Sequence, residues 1–181
     1  MKEHCLYFIA VLAPADVSEE VTAFKQYAAS NFESSRALHS PPHITLIPPF
    51  SWPVRQLSDV IREVEQLTCT FPPFWLALRN FNCFPPRVIF VDVPQNEALA
   101  ALQATLSQRL HQQLNLGGED KRGYHPHMTV AFKDLHRRLF APAWDYFSKI
   151  NYERTYEVRE IGLLQHNKQE WELIHRFPLN C

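Results

Sequence analysis

The sequence predicts an α+β fold in which a β-α-β unit occurs twice. Short apolar runs of strand length alternate with longer segments whose apolar residues recur every three or four positions. The order of these runs is the same in two repeats, at about residues 1–86 and 87–181, within a single bilobal domain. With 181 residues, 46% of them hydrophobic, the chain can bury a core. We therefore expect two antiparallel or mixed sheets that face a central cleft, with the helices outside.

The first repeat predicts a strand, a helix, a strand, a helix and a hairpin. The apolar run CLYFIAVLA is followed by an amphipathic helix, at whose start Asp16 and Glu19 form a capping-box pattern. HITLIPPF predicts a strand that its prolines close, and Pro53 stands at the first position of a second amphipathic helix. FWLALRNFNCF and RVIFVDV then predict two strands joined by a two-proline turn.

The second repeat follows the same order and begins with RVIFVDV. A helix with a leucine stripe, the strand HMTVAF and a helix that Pro142 opens come next, before the strands TYEVREIGLLQ and EWELIHRF. Pro94 follows Pro14 by 80 positions, and His127 follows His43 by 84. The near-constant offset indicates a duplication with a much longer period than solenoid repeats have.

Composition excludes some classes of function. Lys and Arg number 18 against 19 Asp and Glu, whereas proteins that hold long duplex nucleic acid through many phosphates are usually basic. A small anionic ligand or a nucleic-acid end stays compatible with a net charge of −1. No run approaches the ~18 apolar residues of a membrane span. We expect a monomer in the cytoplasm without membrane association, and four reduced cysteines because their spacing matches no metal or redox motif.

Two copies of Pro-His-x-Thr occupy corresponding strands of the repeats. PHIT covers residues 42–45 and PHMT covers 126–129, and chance predicts about 0.03 copies of this pattern per chain. Side chains alternate along a strand, so the histidine and the threonine of each copy point to the same face. A lone strand histidine is most often structural, but two matched copies indicate a shared site.

The paired motifs suit acid–base chemistry on a phosphate ester. Near pH 7 one imidazole can be neutral while the other is protonated, and threonine hydroxyls can donate to non-bridging oxygens. This chemistry requires no metal and no cofactor. A zinc site would use His125 and His127 with His39 and His43, which would leave the threonines without a role.

Two H-x-[ST]-hydrophobic motifs in a duplicated α+β frame resemble the two-histidine phosphoesterase superfamily, which includes 2′-5′ RNA ligase-like proteins and RNA 2′,3′-cyclic phosphodiesterases. The resemblance implies metal-free opening of a 2′,3′-cyclic phosphate, and some members join RNA ends in reverse. It makes His43 and His127 the acid–base pair and Thr45 and Thr129 the phosphate donors. Which histidine is the base stays open, with His127 as our working choice.

Five further residues are candidate substrate-binding residues. Arg87 follows Phe84 in a hairpin, similar to an aromatic-then-arginine element of the RNA-processing branch, although an exposed hairpin arginine explains Arg87 equally well. Tyr124 could stack on a base. Lys121 and Arg122 lie in a glycine-containing loop that could close over a phosphate or could simply be solvated.

Three functions are compatible with these features. The first is a phosphodiesterase acting on 2′,3′-cyclic phosphates of RNA ends or nucleotides. The second is an enzyme of the same fold acting on a small non-RNA cyclic phosphate, which the near-neutral charge favours. The third is a non-catalytic RNA-binding module, against which the intact histidine and threonine quartet argues.

Overall fold

The computed structural model describes residues 3–117 and 123–181. The strands are β1 (His4–Leu12), β2 (His43–Pro53), β3 (Phe74–Arg79), β4 (Phe81–Phe84), β5 (Val88–Asp92), β6 (His127–Ala131), β7 (Glu153–Val158), β8 (Glu160–His166) and β9 (Trp171–Pro178). The α-helices are α1 (Ala15–Phe32), α2 (Leu57–Thr68), α3 (Glu97–Leu114) and α4 (Arg137–Phe147), and a short 3-10 helix, Arg36–His39, precedes β2. This is an α+β fold, as the alternation of the two periodicities predicted.

The strands form three antiparallel groups that exchange members between the two halves of the sequence. One sheet has the order β2-β1-β8-β9 and another has the order β4-β5-β6. The third group pairs β3 with β7. Each of the first two sheets therefore combines the two strands of the β-α-β unit of one half with strands from the other half. These added strands are β8 and β9 in the first sheet and β4 in the second. The expected boundary near residue 86 separates sequence repeats and does not separate sheets.

Two predicted strands are each divided between two sheets. Asn80, at φ 55°, separates β3 from β4, and Arg159 separates β7 from β8. The prediction of continuous strands over FWLALRNFNCF and TYEVREIGLLQ was wrong because a single residue redirects each chain. β2 in turn continues through Pro48 and Pro49 to Pro53. It is an edge strand of its sheet, where prolines are tolerated.

Three predictions of helix starts were also wrong, and one of them is that of α2, which begins at Leu57 while Pro53 ends β2. The residue that caps α1 is Pro14, and no side-chain hydrogen bond caps this helix, so Asp16 lies inside its first turn. α4 begins at Arg137 and contains Pro142, which does not open it. Pro142 is exposed, so the one helix hydrogen bond that it removes involves a surface carbonyl that water can reach. The leucine stripe of α3 is confirmed: Leu99, Leu102, Leu106 and Leu110 are buried.

The two faces of the β2-β1-β8-β9 sheet pack differently. Alternate residues of β1, Tyr7, Ile9 and Val11, join one large core that includes residues of α1, α2, α3 and the other sheets. Phe8 and Ala10, which point the opposite way, form a second small cluster with Leu164. Trp171, Leu173 and Leu12 pack against that cluster. The second face is therefore only thinly covered, which leaves room for a site.

Two of the cysteines are paired. Cys69 follows α2 and forms a disulfide with Cys181, 112 positions later, while Cys5 and Cys83 are free. The prediction of four reduced thiols was wrong, because no local spacing motif marks a pair this distant. The backbone N–H of Asn180 also donates to the carbonyl of Thr68, 3.2 Å away, so a hydrogen bond and a disulfide both connect residues 180–181 to the end of α2.

None of the helices within the described residues is long and apolar enough to cross a membrane.

Candidate active site

The two Pro-His-x-Thr motifs open β2 and β6, and these strands are in contact. In both strands burial alternates in the same way. His43, Thr45, His127 and Thr129 are half-buried, while the residues between and beyond them, Ile44, Leu46, Met128 and Val130, are buried. Strand alternation thus places one face of each motif in the core. The structure brings the His-Thr faces of the two motifs to neighbouring strands.

The neighbouring strands align with the two motifs in the same register. On β1, Leu12 pairs with His43 and Ala10 pairs with Thr45. On β5, Asp92 pairs with His127 and Phe90 pairs with Thr129. Leu12 and Asp92 are 80 positions apart, as are Ala10 and Phe90, so the sequence offset of the repeat is also a spatial correspondence.

Both histidines are oriented by the same hydrogen bond. Nδ1 of His43 lies 2.7 Å from the carbonyl oxygen of Pro41, and Nδ1 of His127 lies 2.8 Å from that of His125. A carbonyl oxygen can only accept, so Nδ1 carries a proton in each ring and donates it. Nε2 is consequently the nitrogen of each ring that can take up or release a proton. The proline between histidine and carbonyl in both motifs restricts the turn that makes this bond.

The surroundings hold both imidazoles neutral, to different degrees. Burial lowers the pKa of His43 to about 4, and the positive charges of Lys25 and His127 add to this effect. The pKa of His127 is also lowered, chiefly by burial and further by the charge of His125, while the bond to the His125 carbonyl and the carboxylate of Asp92 act in the opposite direction. Because β2 and β6 are in contact, a proton on His127 lowers the pKa of His43 further.

Aromatic rings surround the two imidazoles. The ring of Phe8 lies 4.7 Å from that of His43 and 4.7 Å from that of Trp171. On the other side, Phe84 and Phe90 lie 5.4 and 5.0 Å from His127. These rings exclude water from the imidazoles, which is the physical cause of the lowered pKa values.

Tyr124 joins the two motifs directly. Its hydroxyl donates to the backbone carbonyl of Thr45 on β2, 3.1 Å away, although Tyr124 itself lies three residues before His127. The ring packs against the large core and is half-buried, and burial raises the pKa of the phenol. Tyr124 therefore connects β2 to the segment that precedes β6 by a hydrogen bond, a contact that the sequence did not suggest.

The other candidate residues lie at the rim. Phe84 is 40% exposed and contacts His127, so the β4–β5 hairpin reaches the site. Arg87 lies in the turn of this hairpin, with its backbone N–H donating to the carbonyl of Phe84, 3.3 Å away. Its guanidinium is exposed and has no hydrogen-bond or ion-pair partner within residues 3–117 and 123–181. Lys121 and Arg122 lie outside the described residues.

The sequence of this chain matches a known protein family over a segment that includes both motifs. Residues 13–170 match the family described as the 2′-5′ RNA ligase superfamily. The chain belongs to this superfamily. The match spans both motifs, so the resemblance that the paired motifs carried is confirmed.

Relatives in the 2′-5′ RNA ligase superfamily match the chain over most of its length. A Geobacillus kaustophilus protein named "Putative phosphoesterase" is 25% identical over 178 residues, which cover 94% of each chain. A Geobacillus thermodenitrificans protein of the same name is 28% identical and covers 77% of this chain and 76% of its own. Among solved structures, TT0787 of Thermus thermophilus superposes with a TM-score of 0.72 at 20% identity, covering 97% and 98% of the two chains. Escherichia coli LigT complexed with 3′-AMP also gives 0.72, at 18% identity and 99% and 100% coverage.

Superfamily membership did not identify several residues that shape the site of this chain. Lys25, Phe8, Trp171 and Asp92 were not among the candidates predicted from the sequence. A signal for Lys25 does exist, since it continues the buried stripe of α1 that includes Val17 and Val21 at four-residue spacing. A lysine on an apolar stripe indicates a buried charge. The other three stand in strands that only the register of β1, β5 and β9 brings beside the motifs.

Proposed function

We propose that this protein is a metal-independent phosphodiesterase that opens 2′,3′-cyclic phosphates of RNA ends or nucleotides. The observation that supports it best is the matched anchoring of His43 and His127, whose Nδ1 protons are both donated to carbonyls two residues before. Each Nε2 is then available for proton transfer. Membership in the 2′-5′ RNA ligase superfamily, and the LigT structure with 3′-AMP, support a nucleotide-type ligand.

In the proposed reaction the two histidines have opposite tasks. A neutral Nε2 accepts a proton from water as the water oxygen bonds to phosphorus. The protonated Nε2 of the other ring donates its proton to the ribose oxygen as the bond between that oxygen and phosphorus breaks. The hydroxyls of Thr45 and Thr129 donate to the non-bridging oxygens as their charge grows. The product keeps one phosphomonoester, typically on the 2′ oxygen.

The surroundings of the two rings favour His43 as the base and His127 as the acid. His43 has the pKa of about 4 and lies within range of the charge of Lys25, so it stays neutral. His127 pairs in register with Asp92, whose carboxylate raises the pKa of this imidazole against the effect of burial. A bound phosphate dianion or monoanion would raise the pKa of both rings and favour the protonated acid. This assignment reverses our working choice from the sequence.

Hydrolysis in the presence of a chelator tests the proposal. Purified protein should open 2′,3′-cyclic nucleotides in excess EDTA at an unchanged rate. Within the described residues no three His, Cys, Asp or Glu side chains are grouped as a metal would require. Activity that disappears with chelator and returns with zinc or manganese would contradict the metal-free mechanism. Product analysis should show one phosphomonoester per ring opened.

A small non-RNA cyclic phosphate is the second candidate substrate. The formal net charge of −1 lacks the excess of cations that long RNA requires, so a small ligand fits as well as an RNA end. Comparing cyclic nucleotides, oligonucleotides ending in a cyclic phosphate and sugar cyclic phosphates would rank these classes by kcat/KM.

A further inference from the structure

A cavity of about 390 Å³ lies beside the first motif. Three parts of the chain enclose it: one side of α1, the segment that leads into β2, and the start of β9. The lining residues are Ser18, Thr22, Lys25, Leu38, His39, Ser40, Pro41, Pro42, Glu170 and Trp171. Its size falls at the lower end of the range for small-molecule sites, about 300–1,000 Å³. Pro42 directly precedes His43, so the cavity adjoins the proposed active site.

Lys25 is the unusual residue in this lining. It is only 2% exposed, and its Nζ donates to the backbone carbonyl of Ser40 at 2.9 Å. Within the described residues no carboxylate forms an ion pair with it. A buried ammonium without an anionic partner is unfavourable, and the desolvation lowers its pKa to about 8. An anion in the cavity would supply the missing partner.

Several other lining residues carry polar side chains that could contact an anion beside Lys25. Ser18, Thr22 and Lys25 follow each other at four- and three-residue spacing on α1, so they share one face of the helix. The Nδ1 of His39, which lines the cavity, donates to the carbonyl of Gln169, 2.8 Å away. Its Nε2 is therefore not used by this bond. Glu170 is the one carboxylate in the lining, and it is exposed at the tip of the β8–β9 hairpin.

Aromatic contacts connect the cavity to the imidazole of His43. Trp171 lines the cavity and meets Phe8 edge to face at 4.7 Å, and Phe8 in turn lies 4.7 Å from His43. A ligand that extends from the first motif past these rings would therefore reach Lys25. A nucleoside 2′,3′-cyclic phosphate that also carries a 5′-phosphate offers such a shape, because its two phosphates lie at opposite ends of the ribose.

We propose that this cavity is a second anion subsite, which binds the phosphate on the 5′ oxygen of the nucleotide whose 2′,3′-cyclic phosphate lies between His43 and His127. The inference rests on the proposed function and adds a substrate class to it. Nucleotides and RNA ends with a phosphorylated 5′ oxygen are the preferred substrates. Nucleoside 2′,3′-cyclic phosphates without that group are poorer ones.

The test compares two substrates that differ only in the 5′-phosphate. For the wild-type protein, kcat/KM should be about ten-fold to a hundred-fold higher for the nucleoside 2′,3′-cyclic phosphate 5′-phosphate, the effect of one charge-assisted contact, and the gain should be mostly in KM. Lys25→Met should bring the ratio of the two values near one. Because Lys25 also acts on His43, the ratio is the readout: any change in the chemical step affects both substrates alike.

Lys149→Met is the matched control. Lys149 is exposed just beyond the end of α4, where its Nζ pairs with Asp145 at 2.7 Å, and its loss should leave the ratio unchanged. Thr22→Val provides a second variant of the subsite that keeps Lys25, and it should lower the ratio by a smaller amount. A wild-type ratio near one, or a ratio that Lys25→Met does not change, would overturn the subsite while the phosphodiesterase reaction stands.

Binding measurements separate the subsite from the proposed function. Inorganic phosphate and a nucleoside 5′-monophosphate are titrated while tryptophan fluorescence is recorded, with Trp171→Phe to identify the signal of Trp171. A response that depends on Lys25 supports the subsite even if neither cyclic phosphate is hydrolysed, in which case the proposed function is wrong. If inorganic phosphate alone responds, the cavity holds a free anion and the assignment to the 5′-phosphate is wrong.

Discussion

The two copies of the His-x-Thr motif share their backbone geometry and differ in electrostatic surroundings. Each histidine donates from Nδ1 to the carbonyl two residues before it, at 2.7 and 2.8 Å. Beside His43, however, the paired residue on the neighbouring strand is Leu12, whereas beside His127 it is Asp92. Lys25 adds a positive charge near the first copy. The first imidazole therefore lies among apolar and cationic groups, and the second lies beside a carboxylate.

This difference is what an acid–base pair requires. A perfectly symmetric duplication would give both imidazoles the same affinity for protons, and neither would be selected as the acid. The presence of Leu12 in one repeat and Asp92 at the equivalent position of the other alters the electrostatics and leaves the tautomer unchanged. In the proposed mechanism, duplication thus supplies two equivalent proton carriers, and differences on the adjacent strands make them unequal.

Removing either histidine should produce the largest effect. His43→Ala and His127→Ala should each lower turnover of a cyclic phosphate by ~10² to 10⁴, because each loses one proton-transfer step. The double variant should be only slightly slower than either single variant, since the two rings act in one cycle. The measurement is a double-mutant cycle on kcat, with binding of a non-hydrolysable analogue followed in parallel.

His111→Ala, at an exposed position of α3, is the control for this cycle and should keep full activity. If the effects of the two active-site variants simply add, or if both variants lose binding and keep turnover, then the paired acid–base role is wrong. A non-catalytic binding module would then be favoured.

Replacing Lys25 should remove the charge that distinguishes the first copy, and it should stabilise the fold. Folding lowers the pKa of Lys25 from 10.5 to about 8, so below pH 8 the folded state holds a proton that the buried site disfavours. This penalty, about 3 kcal/mol at pH 7, is present in full below pH 8 and is relieved as the pH rises toward 10.5. Lys25→Met should therefore raise the free energy of unfolding by up to that amount.

Between pH 8 and 10.5 the unfolded state binds a proton that the folded state has released, so the stability of the wild type rises with pH across this window. The penalty is therefore complete below pH 8 and has disappeared by pH 10.5. The advantage of Lys25→Met should be largest at pH 7.

Urea unfolding of both proteins from pH 7 to 10.5 measures the difference, which should shrink as the pH rises. Lys149→Met, which removes an exposed lysine, should give a small and nearly constant difference over this range. A Lys25→Met variant that is less stable than the wild type at pH 7 would show that the ammonium has a partner that offsets its burial.

Asp92→Asn should make the second copy more like the first. The change removes the carboxylate that raises the pKa of His127, so this pKa should fall. If His127 is the general acid, the basic limb of the pH profile of kcat/KM should move to lower pH. On that limb kcat/KM falls about ten-fold per pH unit, so the loss of rate at a fixed pH follows the size of the shift.

The direction of the shift decides the assignment of the two roles. If the acidic limb moves and the basic limb does not, then His127 is the base, which was our working choice at the level of the sequence. Asp145→Asn, at an exposed position of α4, should shift neither limb.

The candidate site could be predicted from the sequence to the extent that it depends on local patterns. The motifs PHIT and PHMT, their strand alternation and the repeat offset all follow from residues close together in the chain, and β2 and β6 carry them as expected. The α+β class and the superfamily also followed from these patterns. Local signals suffice where one strand presents both functional side chains.

The remaining features depend on long-range pairing that no local pattern encodes. Asp92 matters because it lies opposite His127, and that register is set by the packing of β5 on β6. Trp171 reaches the first motif because β8 and β9, from the end of the chain, pair beside β1. The disulfide of Cys69 and Cys181 likewise joins distant segments. Asn80 shows a further limit, since one residue at φ 55° divides a predicted strand between two sheets.

Removing a threonine hydroxyl should have a smaller effect than removing an imidazole. Thr45→Ala and Thr129→Ala each remove one of several donors to the phosphate, so we expect about a ten-fold loss of kcat/KM for each. The pH profile should keep both limbs, because the histidines are unchanged. Thr155→Ala, at an exposed position of β7, is the matched control. A loss as large as that of the histidine variants would mean that the threonines take part in proton transfer.

The smallest expected effect concerns the hydrogen bond between Tyr124 and Thr45, which connects the two motifs. Tyr124→Phe keeps the ring in the core and removes the hydroxyl that donates to the carbonyl of Thr45 at 3.1 Å, so the free energy of unfolding should fall by about 1 kcal/mol. Tyr156→Phe is the control, because the Tyr156 hydroxyl is buried and has no hydrogen-bond partner among the described residues. Its removal should be neutral or stabilising, since no bond is lost and a buried polar group is deleted. Urea unfolding of the two variants at pH 7 compares these effects. If both variants are equally stable, the hydroxyl of Tyr124 does not hold the two motifs together, and contact between β2 and β6 must depend on their apolar faces alone.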